Sequence, residues 1–124
     1  MQSINLKGGT ITLETSHKEL EMLEVIIRAG HNTDPVFRHA SDEENKNLHL
    51  MVSSLLDRVK EDTITFSMSQ QELMSMSSII EAVNTMDSEI YYPDMIDEFP
   101  SDDDLDRFTQ HVSDIYDQAF STNE

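Results

Sequence analysis

The chain has 124 residues, no cysteine, and 25 carboxylates against eight lysines and arginines, a formal net charge of −17. A domain of this size buries roughly 65% of its unfolded surface without covalent staples, and the absence of thiols excludes a disulfide framework and a thiolate-held metal. A field this negative repels nucleic acid and anionic lipid and favours basic partners. The charge is also uneven. Residues 1–86 hold thirteen acids and seven bases, whereas residues 87–124 hold twelve acids and a single base, Arg107. No apolar run approaches the roughly 18 residues of a membrane span, and the start lacks a signal peptide's basic-then-apolar pattern. The expected compartment is the cytoplasm.

In chain order, Ile4 and Leu6, then Ile11 and Leu13, alternate with polar neighbours on either side of Gly8-Gly9. That is the signature of a hairpin, with Thr10, Thr12 and Glu14 on its wetter face. Ser16 followed by Glu19 is a capping box, so a helix starts here. Its stripe is Leu20, Leu23, Ile26 and Ile27, and Gly30 is expected to end it in a left-handed cap. Residues 31–40 read as a loop containing Pro35. Ser41 with Glu44 is a second capping box, leading a stripe of Leu48, Met51, Val52, Leu55 and Val59. Ile64, Phe66 and Met68 alternate as a strand. Ser69 with Glu72 opens the next helix, whose stripe is Leu73, Met76, Ile79, Ile80 and Val83. After a loop holding Pro93 and Pro100, Ser101 with Asp104 resembles a fourth box, ahead of Leu105, Phe108, Val112, Ile115 and Ala119.

The pattern is a repeat. Residues 10–29 and 63–82 share nine identities over twenty positions: Thr10/Thr63, Ile11/Ile64, Thr12/Thr65, Ser16/Ser69, Glu19/Glu72, Leu20/Leu73, Ile26/Ile79, Ile27/Ile80 and Ala29/Ala82. The later helices match at a spacing of sixty, through Ser41/Ser101, Asp42/Asp102, Val52/Val112, Ser53/Ser113 and Asp57/Asp117. The fold class expected is α+β: a single domain over 1–124, built from tandem duplicated β-α-α units at about 10–60 and 63–120 with an extra N-terminal strand. A small three-stranded sheet, covered on one face by about four helices with pseudo-twofold symmetry, would give both units a common core. Antiparallel pairing of the repeated strands is preferred over parallel.

Catalytic and metal motifs are absent from the pattern. Asp102, Asp104 and Asp106 imitate the start of a calcium loop, but its glycine and bidentate glutamate positions are Arg107 and Ser113. Acids at a helix N-terminus are accounted for by its dipole. His17, His31, His39, His49 and His111 have no recognisable ligand spacing, and the three of the 31–49 region converge only if the loop folds back. No nucleophile elbow or phosphate-cradling glycine loop exists. No enzyme activity, cofactor or metal is therefore expected.

Two surfaces stand out because the repeat supplies a comparison. The face of the second unit's first helix carries Met74, Ser78 and Glu81, flanked by Ser75 and Ser77, where the first unit has Glu21, Val25 and Arg28. Small neutral residues and a flexible methionine suit contact with a partner or with a second copy, giving a homodimer. The lengthened loop offers Tyr91, Tyr92, Met95, Ile96, Asp97, Glu98 and Phe99, followed by Asp102, Asp103 and Asp104, a mixture of aromatic anchors and acids suited to a basic protein partner. The function expected is a non-enzymatic acidic interaction module, a small regulator or adaptor. The alternative is a nucleic-acid mimic filling the basic groove of a DNA- or RNA-binding protein. Either way, self-repulsion in so acidic a chain should be screened by salt. The melting temperature, followed by circular dichroism, is expected to rise between low and moderate sodium chloride, and a flat or falling response would mean that the acids are locally compensated.

Overall fold

Strict alternation over Thr10–Ser16 and Thr63–Ser69 drives the two longer strands. In the computed structural model, which describes residues 1–5, 10–31, 40–58, 61–85, 92–95 and 97–121, these strands are β2 and β3. They pair antiparallel in register, with Thr10 opposite Ser69, Leu13 opposite Phe66 and Ser16 opposite Thr63. β1 (Gln2–Asn5) pairs antiparallel with the other edge of β2, with an irregularity between Ser3 and Asn5. The sheet order is β1-β2-β3, leaving β3 at an edge.

The side-chain period of two sorts the sheet into a dry and a wet face. Ile11, Leu13, Ile64, Phe66 and Met68 are buried, while Thr10, Thr63, Thr65 and Ser67 are exposed on the far side. Thr12 and Ser67 meet there through their hydroxyls at 3.1 Å. Among the described residues, four helices cover the dry face: α1 (His17–Gly30), α2 (Asp42–Arg58), α3 (Gln70–Thr85) and α4 (Asp102–Ser121). The chain is thus α+β. α1 packs on α2, α3 packs on α4, and α1 and α2 both touch α3.

No loop separates β2 from α1 or β3 from α3. Ser16 and Ser69 end their strands and cap the helices at once. Ser16 Oγ accepts from the Glu19 N–H at 3.1 Å, as Ser69 Oγ does from Glu72. The box at Ser69 closes both ways, because Glu72 takes the Ser69 N–H at 2.9 Å. The box at Ser41 also closes, with Glu44 accepting the Ser41 N–H at 3.1 Å. At Ser101 the capping bond from Asp104 N–H forms at 3.2 Å, and the carboxylate turns to Arg107 instead. Aspartate is one methylene shorter than glutamate, which accounts for the missing return bond.

Two readings of the sequence are corrected. Gly30 is not a left-handed cap: α1 runs through it, and His31 beyond it has φ −62. What Gly30 supplies is a close approach. A Cβ there would lie 2.7 Å from Asn45 Oδ1 and 3.0 Å from Ile79. Asn45 is fully buried, and its Nδ2 donates to the Ile27 carbonyl at 3.1 Å, which joins α2 to α1. Val25, placed on an exposed face by the repeat, is buried. The Gly8-Gly9 turn, Leu6, Pro35, His39 and Val59 lie outside the described residues.

Gly30→Ala is expected to destabilise the fold by about 1–3 kcal/mol through overpacking, read from urea unfolding. The double variant Gly30→Ala/Asn45→Ala should be less unstable than the two single losses added together, since each relieves part of the other.

Candidate functional site

The acidic C-terminal third is organised by α4. Its apolar stripe is buried at Leu105, Phe108, Val112, Ile115 and Ala119. The opposite face exposes Asp103, Asp106, Arg107, Gln110, Asp114 and Asp117. Three- and four-residue steps place these on one side of the helix. Asp102 and Asp103 are exposed in the first turn, where the helix dipole favours them, and Asp104 is half-buried. Arg107 Nη1 reaches Asp104 at 3.3 Å, and Gln110 donates to Asp114 at 2.9 Å.

The loop ahead of α4 is divided between core and surface. Tyr92 is buried and stacks on half-buried Phe99 with ring centres 5.5 Å apart, and Met95 is buried in a 3-10 turn, Pro93–Met95. These side chains close the end of the core and do not project as anchors. Asp97 and Glu98 are exposed. Glu98 is tied back to α1, where Arg28 Nη2 donates at 2.7 Å and Arg28 Nε reaches Glu24 at 3.1 Å. The Glu98 hydrogen bond comes first in raising the guanidinium above its usual value, with Glu24 adding to it against burial, and Arg28 in turn lowers the Glu98 carboxyl. Tyr91 and Ile96 lie outside the described residues.

On α3, Met74 is 40% exposed, Glu81 is exposed and Ser78 is half-buried. Ser75 and Ser77 are buried, so the neutral face is narrower than the sequence implied. Ser75 is occupied: its hydroxyl donates to Glu44 at 2.7 Å, and Gln71 donates to the same carboxylate oxygen at 2.9 Å. With the Ser75 bond leading, then the Ser41 N–H, Gln71 and the Ser41 hydroxyl, the Glu44 carboxyl is held down to about 2.

A cleft of about 600 Å3, not foreseen from the sequence, separates α4 from the β2–α1 junction. Glu14, Glu19, His111, Asp114 and Gln118 line it. Burial alone would raise the Glu19 carboxyl, but the Met1 ammonium, the Thr15 hydroxyl at 3.0 Å and the Ser16 N–H hold it low. His111 Nδ1 lies 3.7 Å from Glu19, beyond hydrogen-bonding reach, and makes no hydrogen bond. Glu19 and His111 are 92 positions apart, and the capping box was the one signal that either mattered.

His31 and His49 do converge, edge to face at 5.6 Å, and His49 Nε2 lies 3.3 Å from Glu24. Among the described residues, no group of three or more histidines and carboxylates is arranged to hold a metal ion. No described helix is long and apolar enough to cross a membrane. Comparison with protein-family models, with curated proteins and with solved structures found no match to this chain.

The Glu44 network has a signed pH dependence. Its folded value of about 2 lies below the ordinary 4.5, so the stability it contributes is complete above about pH 4.5 and is lost as pH falls toward 2. Ser75→Ala is expected to lower stability at neutral pH by about 1 kcal/mol and to flatten that acid limb, measured by urea unfolding at several pH values.

Proposed function

We propose that the chain is a doubled β-α-α unit, arranged about an approximate twofold axis, which acts as a non-enzymatic interaction module binding a basic partner protein through the outer face of α4. One observation carries this reading. α2 and α4 are sixty residues apart, and over positions 42–57 and 102–117 their burial differs only at Ser54 and Asp114. Packing therefore makes equal demands on both helices, yet their solvent faces differ. Where α2 exposes Lys46, Asn47 and Leu50, α4 exposes Asp106, Arg107 and Gln110, and half-buried Ser54 becomes exposed Asp114. The acids at Asp103 and Asp117 have counterparts in Glu43 and Asp57, so α4 has gained charge on a face that needed none for folding.

Asp114 also lies on the wall of the cleft that contains Glu14 and Glu19. A lysine or arginine of a partner would meet a row of carboxylates on the helix and a recess beside it. Charge-assisted hydrogen bonds to carboxylates supply the recognition chemistry, and the long-range field supplies fast encounter.

The second reading, a nucleic-acid mimic, rests on the same row. Asp103 to Asp117 spans about 21 Å of helix at ~1.5 Å per residue, so four carboxylates there recur about every 7 Å. Phosphates along one DNA strand recur at about 3.4 Å. That lower density favours an ordinary basic protein surface.

The test is affinity capture of the partner, followed by binding measurements with a variant carrying Asp103→Asn, Asp106→Asn, Asp114→Asn and Asp117→Asn. The variant should keep its helical circular dichroism and bind at least tenfold more weakly. Unchanged affinity would remove the proposal. Competition by duplex DNA, with a steep loss of affinity as salt rises, would favour the mimic instead.

A further inference from the structure

β2 and β3 share a sequence pattern, but their outer edges do not share a fate. The outer edge of β2 is covered, because β1 pairs with it opposite Thr12, Leu13 and Glu14. The sheet ends at β3. Among the described residues, Thr63–Ser69 makes no backbone–backbone hydrogen bond outside the β2 ladder. An edge of this kind presents alternate N–H and C=O groups to any extended chain that can reach it.

The bare edge borders a cavity. Fifty-three residues on from Thr12, Leu13 and Glu14 come Thr65, Phe66 and Ser67. Those three residues, together with Met51, Ser54 and Leu55 of α2, line a recess of about 320 Å3. On the covered side, sixty residues on from Met51, Ser54 and Leu55, the residues His111, Asp114 and Ile115 of α4 line the cleft that Met1 enters just ahead of β1. α4 packs against β1. The recess between α2 and β3 thus occupies, in the second half of the sheet, the position that β1 fills in the first.

We propose that this recess and the β3 edge receive an extended segment of a partner protein, added antiparallel to β3 as a fourth strand. The segment is apolar at alternate positions and flanked by lysine or arginine. Its middle is set by the walls, since Met51, Leu55, Phe66, Ser54, Thr65 and Ser67 carry no charge, and Leu50, one turn before Ser54, is 58% exposed. Its flanks are set by Glu61 and Asp62, which are exposed just before β3, and by Glu72 just after it. Strand addition gives main-chain affinity, while side-chain pockets give specificity.

A second copy of this chain fits less well. The inward side chains of its own β3, Ile64, Phe66 and Met68, are already buried in its core and would leave the recess empty. Each copy also carries a formal charge of −17. This inference rests on the doubled-unit reading but uses a surface separate from the α4 face.

The probe is a synthetic peptide, Lys-Gln-Ser-Ile-Asn-Leu-Lys, which is the sequence of residues 2–7 behind an added lysine. It is titrated into the isotope-labelled full chain and followed by amide NMR. Saturating shifts are expected at Thr65, Phe66, Ser67 and across Met51–Leu55, with at least fivefold slower hydrogen exchange along β3. The four-aspartate variant of α4 should bind the peptide within a factor of about three of the parent affinity. Ser54→Phe, which fills the recess, should weaken binding at least tenfold. Should its spectrum show a disturbed fold, Met51→Glu serves the same purpose by charging the wall. Failure to saturate, shifts at Thr12–Glu14 in place of Thr65–Ser67, or unaltered binding by a folded recess variant would each overturn the proposal. So would β3 protection that grows with protein concentration in the absence of peptide, which is the signature of a second copy. Loss of peptide binding in the α4 variant would overturn it too, while leaving the acidic-face reading intact.

Discussion

Everything in this fold hangs on the antiparallel seam between β2 and β3. Each strand runs without a loop into the helix that follows it, at Ser16 and at Ser69. A strand's side-chain period of two fixes which residues face inward. A serine that ends a strand and caps a helix then fixes where the first turn begins. Pairing two such strands in register therefore sets the relative positions of α1 and α3. α2 and α4 fill the remaining volume against them. A slip of one residue in the seam would turn Leu13 and Phe66 to water and carry both helices with them.

The helices are held by apolar stripes, and polar contacts join them at particular points. Asn45 joins α2 to α1 through the Ile27 carbonyl, in a gap that exists because Gly30 has no side chain. Glu44 joins α2 to α3 through Ser75 and Gln71. Sixty residues on from Glu44 in the sequence, Asp104 of α4 lines a small recess with Lys18 and Met22 of α1.

The excess of acid is handled in two ways. Glu19, Glu44 and Glu98 are each tied to a donor: the Met1 ammonium, the Ser75 hydroxyl and the Arg28 guanidinium. Their charges are held in place by the fold and contribute to it. The carboxylates of Asp103, Asp106 and Asp117 stand exposed on α4, in a field that a single arginine on the helix does little to offset. Charge of the first kind reads as architecture. Charge of the second kind is available to a partner.

Most of the layout was legible along the chain, because it follows from interactions that span four residues or fewer. Capping serines, the helical stripes and the alternation of the strands all fall in that range, and the recurrence of the same local pattern at 10–29 and 63–82 is read directly from the sequence. Composition alone set the sign of the field. The fate of individual side chains belonged to the tertiary structure. Tyr92 and Met95 read as binding anchors but pack against the core, since only the folded chain shows that its end needed covering. Gly30 read as a turn residue but serves as a gap for Asn45, whose approach from another helix no local pattern records. Arg28 and Glu98 are seventy positions apart and meet in space. The cleft at His111 and the edge position of β3 arise in the same way, from which elements end up adjacent. Periodicity specifies the faces of each element, but adjacency is decided by the packing of the whole.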